Sequence, residues 1–192
     1  PLNTNDFGDF LKEFLNTLKI KNPILIGHSN GGRTIINAVG RKIVTPKKVI
    51  LIDSAGLKPK RKLSYYLKVA FYKTGKFFLN LLPNTKKIKA FKEKLRNKVG
   101  SRDYQSSSNV LKETMKLILN EDQTELLPKI NVPTLLFWGT LDNATPISDG
   151  RKMAELIPDS GLIEYPGSSH FSYLENLSNF NSVVNEFLKN DK

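Results

Sequence analysis

The chain of 192 residues contains no cysteine and no long apolar run. Without cysteine it can form neither a disulfide framework nor a cysteine-ligated zinc site, and it has no thiol nucleophile. No apolar stretch approaches the roughly 20 residues that a membrane-spanning helix needs, and the first residues show no basic region followed by an apolar one. These absences predict a soluble chain that works in the cytoplasm.

Acidic residues are almost missing from one segment. Between Leu57 and Arg102 the chain has fifteen Lys and Arg residues and one acid, Glu93, so the net +14 of this segment exceeds the +12 of the whole chain. We interpret these lysines first as the solvated faces of helices that bury aromatic side chains. Contact with an acidic substrate or an anionic membrane surface ranks second. Nucleic acid binding ranks third and is not expected, because no recognised binding motif is present.

Outside the basic segment, helical and strand patterns alternate. An amphipathic helix between Phe7 and Leu18 precedes a strand at 23–26, and the apolar run Val49–Ile52 is typical of a parallel strand covered on both faces. Two further strands, at 132–139 and 162–165, are each followed by a helical pattern. This alternation predicts an α/β fold, with a parallel β-sheet flanked by helices.

The alternation stops in the middle of the chain. Three helical patterns, at about 63–82, 88–99 and 110–119, follow one another with no strand between them. We therefore predict an α/β core formed by residues 1–56 and 121–192, and a helical insert formed by residues 57–120.

The segment Gly27–Gly31 has the pattern Gly-x-Ser-x-Gly and lies between the first strand and a helical pattern. In that setting the pattern is typical of a nucleophile elbow, in which the glycines let strand and helix approach and the serine occupies a strained, exposed turn. A phosphate-binding turn is the main alternative, but neither phosphate-loop pattern of glycines is present. The other alternative is a turn with a purely structural role. We favour Ser29 as a catalytic nucleophile.

A serine nucleophile needs a histidine base, which in turn needs a carboxylate to orient it. Of the two histidines, His28 adjoins Ser29 within the turn and cannot easily reach its hydroxyl. His170 follows the last strand, at the rim that carries the serine. Asp142 follows the third strand and completes the chain order Ser, Asp, His. Asp142 could instead only cap a turn, and Asp53, which also ends a strand at this rim, is the rival acid.

These motifs together resemble the α/β-hydrolase superfamily, and in particular its small serine hydrolases with a helical cap. The resemblance rests on Leu25–Gly32, Leu51–Gly56, Pro133–Gly139 with Asp142, and Gly167–Phe171. It implies that Ser29 is the nucleophile, Asp142 the acid and His170 the base, and that the backbone amide of Asn30 forms half of the oxyanion hole. It also implies that residues 57 to about 120 form the cap, and that the chemistry needs no metal or organic cofactor.

The chain departs from the family pattern at its start. Family members ordinarily carry several strands before the elbow, including a loop that supplies the second oxyanion amide, whereas this sequence begins in the helix that precedes the elbow strand. We therefore expect a fragment or a truncated gene product, whose sheet has one unpaired, apolar edge.

The resulting hypothesis is a serine hydrolase that acts on a small carboxylic ester or a related acyl compound. Hydrolysis of a carbon-carbon bond beside a ketone would use the same three residues. A truncated, non-catalytic remnant that serves as a binding module is the alternative from another class.

Overall fold

The computed structural model describes residues 1–59, 70–71, 74–75 and 107–189. The chain divides into two compact units, one formed by Pro1 and Pro59–Lys116 and the other by Leu2–Lys58 and Leu117–Lys192. Most of the helical pattern at 63–82, all of that at 88–99 and most of the basic segment lie outside the described residues. The boundaries of the insert and its contact with anionic surfaces therefore stay predictions.

Four strands form one parallel sheet in the order β1-β2-β3-β4, which is also their order along the chain. Their bounds are β1 Ile24–His28, β2 Lys48–Ile52, β3 Thr134–Gly139 and β4 Ser160–Tyr165. The parallel sheet expected from the alternating patterns is confirmed. Since all four strands run in the same direction, their carboxyl ends lie along one rim.

In the part of the chain that the structure describes, the helices with defined bounds occupy positions that the periodicity predicts, with two short additions. They are α1 Thr4–Thr17, α2 Asn30–Gly40, α3 Asn109–Asn120, α4 Ile147–Leu156, α5 Ser172–Glu175 and α6 Leu177–Phe187, with a 3₁₀ helix at Thr124–Lys129. The start of α1 is fixed by a capping box, in which the Asn3 side chain accepts from the Asp6 amide and the Asp6 carboxylate accepts from the Asn3 amide. The 3₁₀ helix and α5 have no clear sequence pattern and were not expected.

Apolar side chains cover both faces of the sheet. On one face, Leu15 of α1, Ile36 of α2 and Met153 of α4 pack with Trp138 of β3. On the other face, Phe137 of β3 belongs to a second cluster, which is completed by apolar residues of α6. Each fully buried side chain of this size contributes about 1.5–3 kcal/mol. The strands are therefore held rigidly enough to fix the loops at the rim.

The β1 edge of the sheet is apolar, as expected. Within the described residues β1 pairs only with β2, and Ile26 of β1 is half exposed, together with Phe10, Phe14 and Leu18 of α1. Unpaired strand edges of this kind favour association with another strand. No helix in the described ranges is long and apolar enough to cross a membrane.

Candidate active site

The polar residues singled out in the sequence lie at the carboxyl-end rim of the sheet. Ser29 directly follows β1, Asp53 follows β2, Asp142 lies three residues after β3 and His170 lies five residues after β4. Side chains from distant parts of the chain meet here because parallel strands present their carboxyl ends together.

Ser29 occupies a strained turn between β1 and α2. Its φ of 53° and ψ of −116° lie outside the regions that residues with a side chain prefer, at a cost of order 1–3 kcal/mol. Four backbone hydrogen bonds hold this conformation, one of them from the Arg33 amide to the Ser29 carbonyl at 3.4 Å. The Ser29 amide donates to the carbonyl of Ile52 over 3.0 Å, and the Ser29 carbonyl accepts from Gly32 at 3.1 Å and from Ala55 at 3.0 Å. The segment after β2 thus supports the serine from behind.

Close packing of the turn requires that Gly27 and Gly32 have no side chain, whereas Gly31 has room for one. A Cβ added at Gly27 would lie 2.7 Å from backbone atoms of Gly31 and Gly32, and one added at Gly32 would overlap the Ser54 hydroxyl. At Gly31 no described atom lies within 4 Å of such a Cβ. The steric reason given for the second glycine of the Gly-x-Ser-x-Gly pattern was therefore wrong, and the required glycine is the next one.

A continuous line of hydrogen bonds joins the three residues predicted to act together. The Ser29 hydroxyl lies 3.0 Å from Nε2 of His170, and Nδ1 of His170 lies 2.8 Å from Oδ2 of Asp142. The Asp142 side chain is inaccessible to solvent, whereas the His170 side chain is 23% exposed. An imidazole in this position can accept a proton from the serine on one nitrogen while the carboxylate fixes the other.

Asp142 also caps the turn after β3, so the two interpretations of this residue are compatible. Its Oδ1 accepts from the amides of Ala144 at 2.7 Å and Thr145 at 3.0 Å, and its Oδ2 lies 2.7 Å from the Thr145 hydroxyl. Burial alone would raise the pKa of Asp142, but the hydrogen bonds from His170, Thr145 and Ala144 outweigh burial and lower it. The carboxylate is therefore ionised at neutral pH.

The loops that carry Asp142 and His170 are in direct backbone contact. The Leu141 amide donates to the Ser168 carbonyl over 2.9 Å, and the Gly167 amide donates to the Thr140 hydroxyl over 2.9 Å. A Cβ at Gly139 would collide with the carbonyls of this second loop. This close approach sets the distance between the acid and the base.

His28 contacts the backbone of His170 and not the serine hydroxyl. Its Nε2 donates to the backbone carbonyl of His170 over 2.7 Å, and the two imidazole rings lie 4.8 Å apart. The rings of Phe171 and Tyr173 lie 5.1 and 5.5 Å from the His28 ring. As expected from its place in the turn, His28 does not reach the Ser29 hydroxyl, and its contact with His170 has no signal in the sequence.

Asp53, the rival acid, is fully buried and contacts both loops without a hydrogen bond to His170. Its Oδ1 accepts from the Gly139 amide at 2.8 Å, and its Oδ2 accepts from the Ser172 amide at 3.1 Å and hydroxyl at 2.7 Å. Burial raises the pKa of Asp53, with a further contribution from nearby Asp142, and the hydrogen bonds from Gly139 and Ser172 only partly offset this. Asp142 is thus the carboxylate that contacts the histidine.

Two further polar residues at the site, Thr145 and Ser172, were missed from the sequence. The Thr145 hydroxyl lies between Asp142 and the carbonyl of Asp53, Ser172 contacts Asp53, and the exposed Glu175 accepts from the amide and hydroxyl of Ser169. Thr and Ser are common in loops, so their presence alone carried no signal.

Asn30 is the first residue of α2. Its amide therefore has no carbonyl partner within the helix. This amide lies next to Ser29, at the positive end of the helix dipole. It is therefore suited to donate a hydrogen bond to the oxyanion that forms when a serine attacks a substrate carbonyl.

Comparisons with known proteins agree with this architecture. The family model described as "alpha/beta hydrolase fold" matches residues 2–177. The chain is 38% identical over 73 residues to the pimeloyl-(acyl-carrier protein) methyl ester esterase of Chromobacterium violaceum, an alignment that covers 38% of this chain and 29% of that protein. It is 25% identical over 193 residues to the 2-hydroxy-6-oxo-6-phenylhexa-2,4-dienoate hydrolase of Burkholderia cepacia, covering 94% of this chain and 67% of that protein.

A solved structure gives the same result at the level of the fold. An alpha/beta hydrolase enzyme from the metagenome of sediments of the Mar Chica lagoon, Morocco, superposes with a TM-score of 0.68 at 23% identity, covering 98% of this chain and 71% of that one. The matched sequence range, the parallel sheet and the named relatives lead to the same assignment: the chain belongs to the α/β-hydrolase family of enzymes.

Proposed function

We propose that this chain is a serine hydrolase that cleaves a small carboxylic ester or a related acyl compound through Ser29, His170 and Asp142. The observation that carries the proposal is the unbroken line of hydrogen bonds from the Ser29 hydroxyl through His170 to the buried Asp142 carboxylate. Those three side chains come from the ends of three different strands. A structural role alone does not require a strained serine next to a partly exposed imidazole.

In the first half of the reaction, the Ser29 oxygen attacks the substrate carbonyl while Nε2 of His170 takes the hydroxyl proton. Asp142 holds Nδ1–H and stabilises the imidazolium that forms. The oxyanion of the tetrahedral intermediate accepts a hydrogen bond from the Asn30 amide. One such donor is worth roughly 10²–10³ in rate. The carbon-oxygen bond to the leaving alcohol then breaks, and His170 returns the proton to that alcohol.

In the second half, water repeats the sequence on the acyl-enzyme. His170 removes one proton from water while the water oxygen attacks the acyl carbon. The ester bond to Ser29 breaks, and the serine oxygen regains the proton from His170. The products are a carboxylic acid and the free enzyme.

Hydrolysis of a carbon-carbon bond is the second candidate. It is favoured by the alignment along 94% of this chain with a relative named as a 2-hydroxy-6-oxo-6-phenylhexa-2,4-dienoate hydrolase. In that reaction water adds across the bond between a ketone carbon and its neighbour, giving a carboxylic acid and an enol that becomes a ketone. The same serine, histidine and aspartate would act on the ketone carbonyl.

The first experiment is labelling of the purified chain with a fluorophosphonate, which reacts with activated serines. We expect labelling that Ser29→Ala and His170→Ala abolish and that Ser182→Ala, at an exposed serine of α6, leaves intact. Absence of labelling in a folded sample would contradict the proposal and would favour the non-catalytic binding module. Salt-sensitive binding to anionic vesicles without turnover would support that alternative.

Substrate assays then separate the two reactions. A series of p-nitrophenyl esters of increasing acyl length tests ester hydrolysis, and a 2-hydroxy-6-oxo-dienoate, which loses its conjugated absorbance when it is cleaved, tests the second reaction. Labelling together with turnover of only the dienoate would replace the ester proposal with the carbon-carbon one.

A further inference from the structure

Asp53 is a buried carboxylate that the proposed reaction does not use directly. It is 0% exposed and lies at the end of β2, the strand between those that precede Ser29 and Asp142. A φ of 42° at this residue is uncommon for a non-glycine residue. A buried aspartate in a strained backbone conformation requires a reason, since both features destabilise the fold.

The hydrogen bonds of Asp53 connect the two loops that carry the acid and the base. One oxygen binds the amide of Gly139, where β3 ends and the Asp142 loop begins. The other oxygen binds the amide and hydroxyl of Ser172, two residues after His170. All three partners can donate, and an ionised carboxylate accepts from all of them.

The backbone of Asp53 reaches the same region by a second route. Its carbonyl lies 3.0 Å from the Thr145 hydroxyl, which lies 2.7 Å from Oδ2 of Asp142. The Asp53 amide donates to the carbonyl of Phe137, the residue of β3 that comes two before Gly139. The residue that follows β2 is therefore bonded to the stem of the Asp142 loop, to the turn that Asp142 caps and to the start of the helix after His170.

We propose that Asp53 is a positioning residue that sets the distance between Asp142 and His170 by anchoring Gly139 and Ser172 to one carboxylate. This inference rests on the proposed function of the Ser29, His170 and Asp142 line. Asp53 itself does not touch the substrate or the reacting atoms. Its effect passes through the 2.8 Å bond between Asp142 and His170.

The substitution Asp53→Asn tests this idea because it keeps the shape and removes one acceptor. An asparagine has one carbonyl and one amino group, so its amino group must face either Gly139 N–H or the Ser172 donors. One anchor is then lost. Since a displacement near 1 Å at a catalytic centre costs about 10²-fold, we expect the fluorophosphonate labelling rate to fall by about that factor.

Three comparisons give the test its controls. Asp159→Asn makes the same chemical change at an exposed aspartate before β4 and is expected to leave labelling unchanged. Ser172→Ala removes only the hydroxyl donor, so it is expected to slow labelling less than Asp53→Asn and keeps the proposal testable if the latter variant fails to fold. In the double variant that combines Asp53→Asn with Ser172→Ala, labelling is expected to be slowed by less than the product of the two single effects.

A spectroscopic measurement separates positioning from stability. The Nδ1 proton of His170, bonded to Asp142, gives a low-field proton resonance by NMR, and we expect Asp53→Asn to shift it upfield in a sample whose fold is intact. A residue that only stabilises the fold would lower the urea midpoint without moving this resonance or the labelling rate of the folded protein.

The outcomes distinguish the two proposals. If the natural chain is labelled and Asp53→Asn is labelled equally fast with an unmoved resonance, the positioning role is overturned and the hydrolase proposal stands. If the natural chain is not labelled, the hydrolase proposal fails, and the His170 resonance alone then decides whether Asp53 positions the two loops. A lower labelling rate of Asp53→Asn together with a shifted His170 resonance supports the positioning role.

Discussion

Replacing Gly32 by alanine should destabilise the fold, whereas the same change at Gly31 should not. A Cβ at Gly32 would overlap the hydroxyl of Ser54, lie 2.7 Å from the Ser54 Cβ and lie 3.4 Å from the Gly27 carbonyl. Because Ser54 is fully buried, it cannot move into solvent. Forcing an extra methyl into a packed site costs about 1–3 kcal/mol.

At Gly31 the expected effect has the opposite sign. No described atom is near a Cβ at that position, and alanine is better than glycine within a helix by about 1 kcal/mol. Gly31→Ala should therefore leave the free energy of unfolding unchanged or raise it. The free energies of unfolding of Gly31→Ala and Gly32→Ala should therefore differ by about 2–4 kcal/mol.

Urea unfolding followed by tryptophan fluorescence is a suitable assay. Trp138 is the only tryptophan of the chain and is fully buried, so its emission reports the loss of the core. With a slope of about 1–3 kcal/mol per molar urea, the midpoints of the two variants should differ by about 1 M or more. A compensating variant adds Ser54→Gly to Gly32→Ala, which removes the obstructing atoms and should restore part of the loss.

Equal midpoints for Gly31→Ala and Gly32→Ala would refute the steric reasoning. So would a Gly32→Ala variant that Ser54→Gly makes less stable still, because the conflict would then lie elsewhere.

Three further changes test the site and the core. Asp142→Asn should slow labelling by about 10⁴-fold. Folding lowers the pKa of Asp142, so its carboxylate stabilises the fold at pH values above its pKa in the unfolded chain, and this contribution disappears as the pH falls through its pKa in the folded chain. The loss of stability caused by Asp142→Asn should therefore be smaller in acid. His28→Phe keeps a ring but loses the bond to the His170 carbonyl, which predicts labelling about 2–10-fold slower; an unchanged rate would exclude a supporting role. Gly150→Ala would place a Cβ 2.6 Å from the Trp138 ring and should lower the free energy of unfolding by about 1–3 kcal/mol; an unaltered urea midpoint would contradict this packing.

Much of the fold could be predicted because its signals are local. The apolar run of β2 and the helical spacing in α1 are each set by neighbouring residues, and alternation of such segments admits few arrangements other than a parallel sheet. The positions of Ser29, Asp142 and His170 could be predicted for the same reason, since each lies within five residues of the end of a recognisable strand.

The supporting residues could not be predicted in this way. The bond from Ser172 to Asp53 joins residues 119 positions apart, and that from Gly139 to Asp53 joins residues 86 positions apart. Neither partner has a neighbour that distinguishes it from an ordinary loop residue. Likewise, Gly31 and Gly32 are equivalent in the sequence, and only the location of Ser54, two residues after β2, separates their roles.

The separation of 141 positions between Ser29 and His170 has a consequence for the order of events during synthesis. At 5–20 residues per second, the ribosome needs about 7–28 s to reach the histidine after it has made the serine. During that interval the nascent chain holds a serine hydroxyl with no base to activate it. The hydroxyl gains its partner only when β4 and the loop after it have joined the sheet, so the proposed reactivity cannot precede the assembly of all four strands.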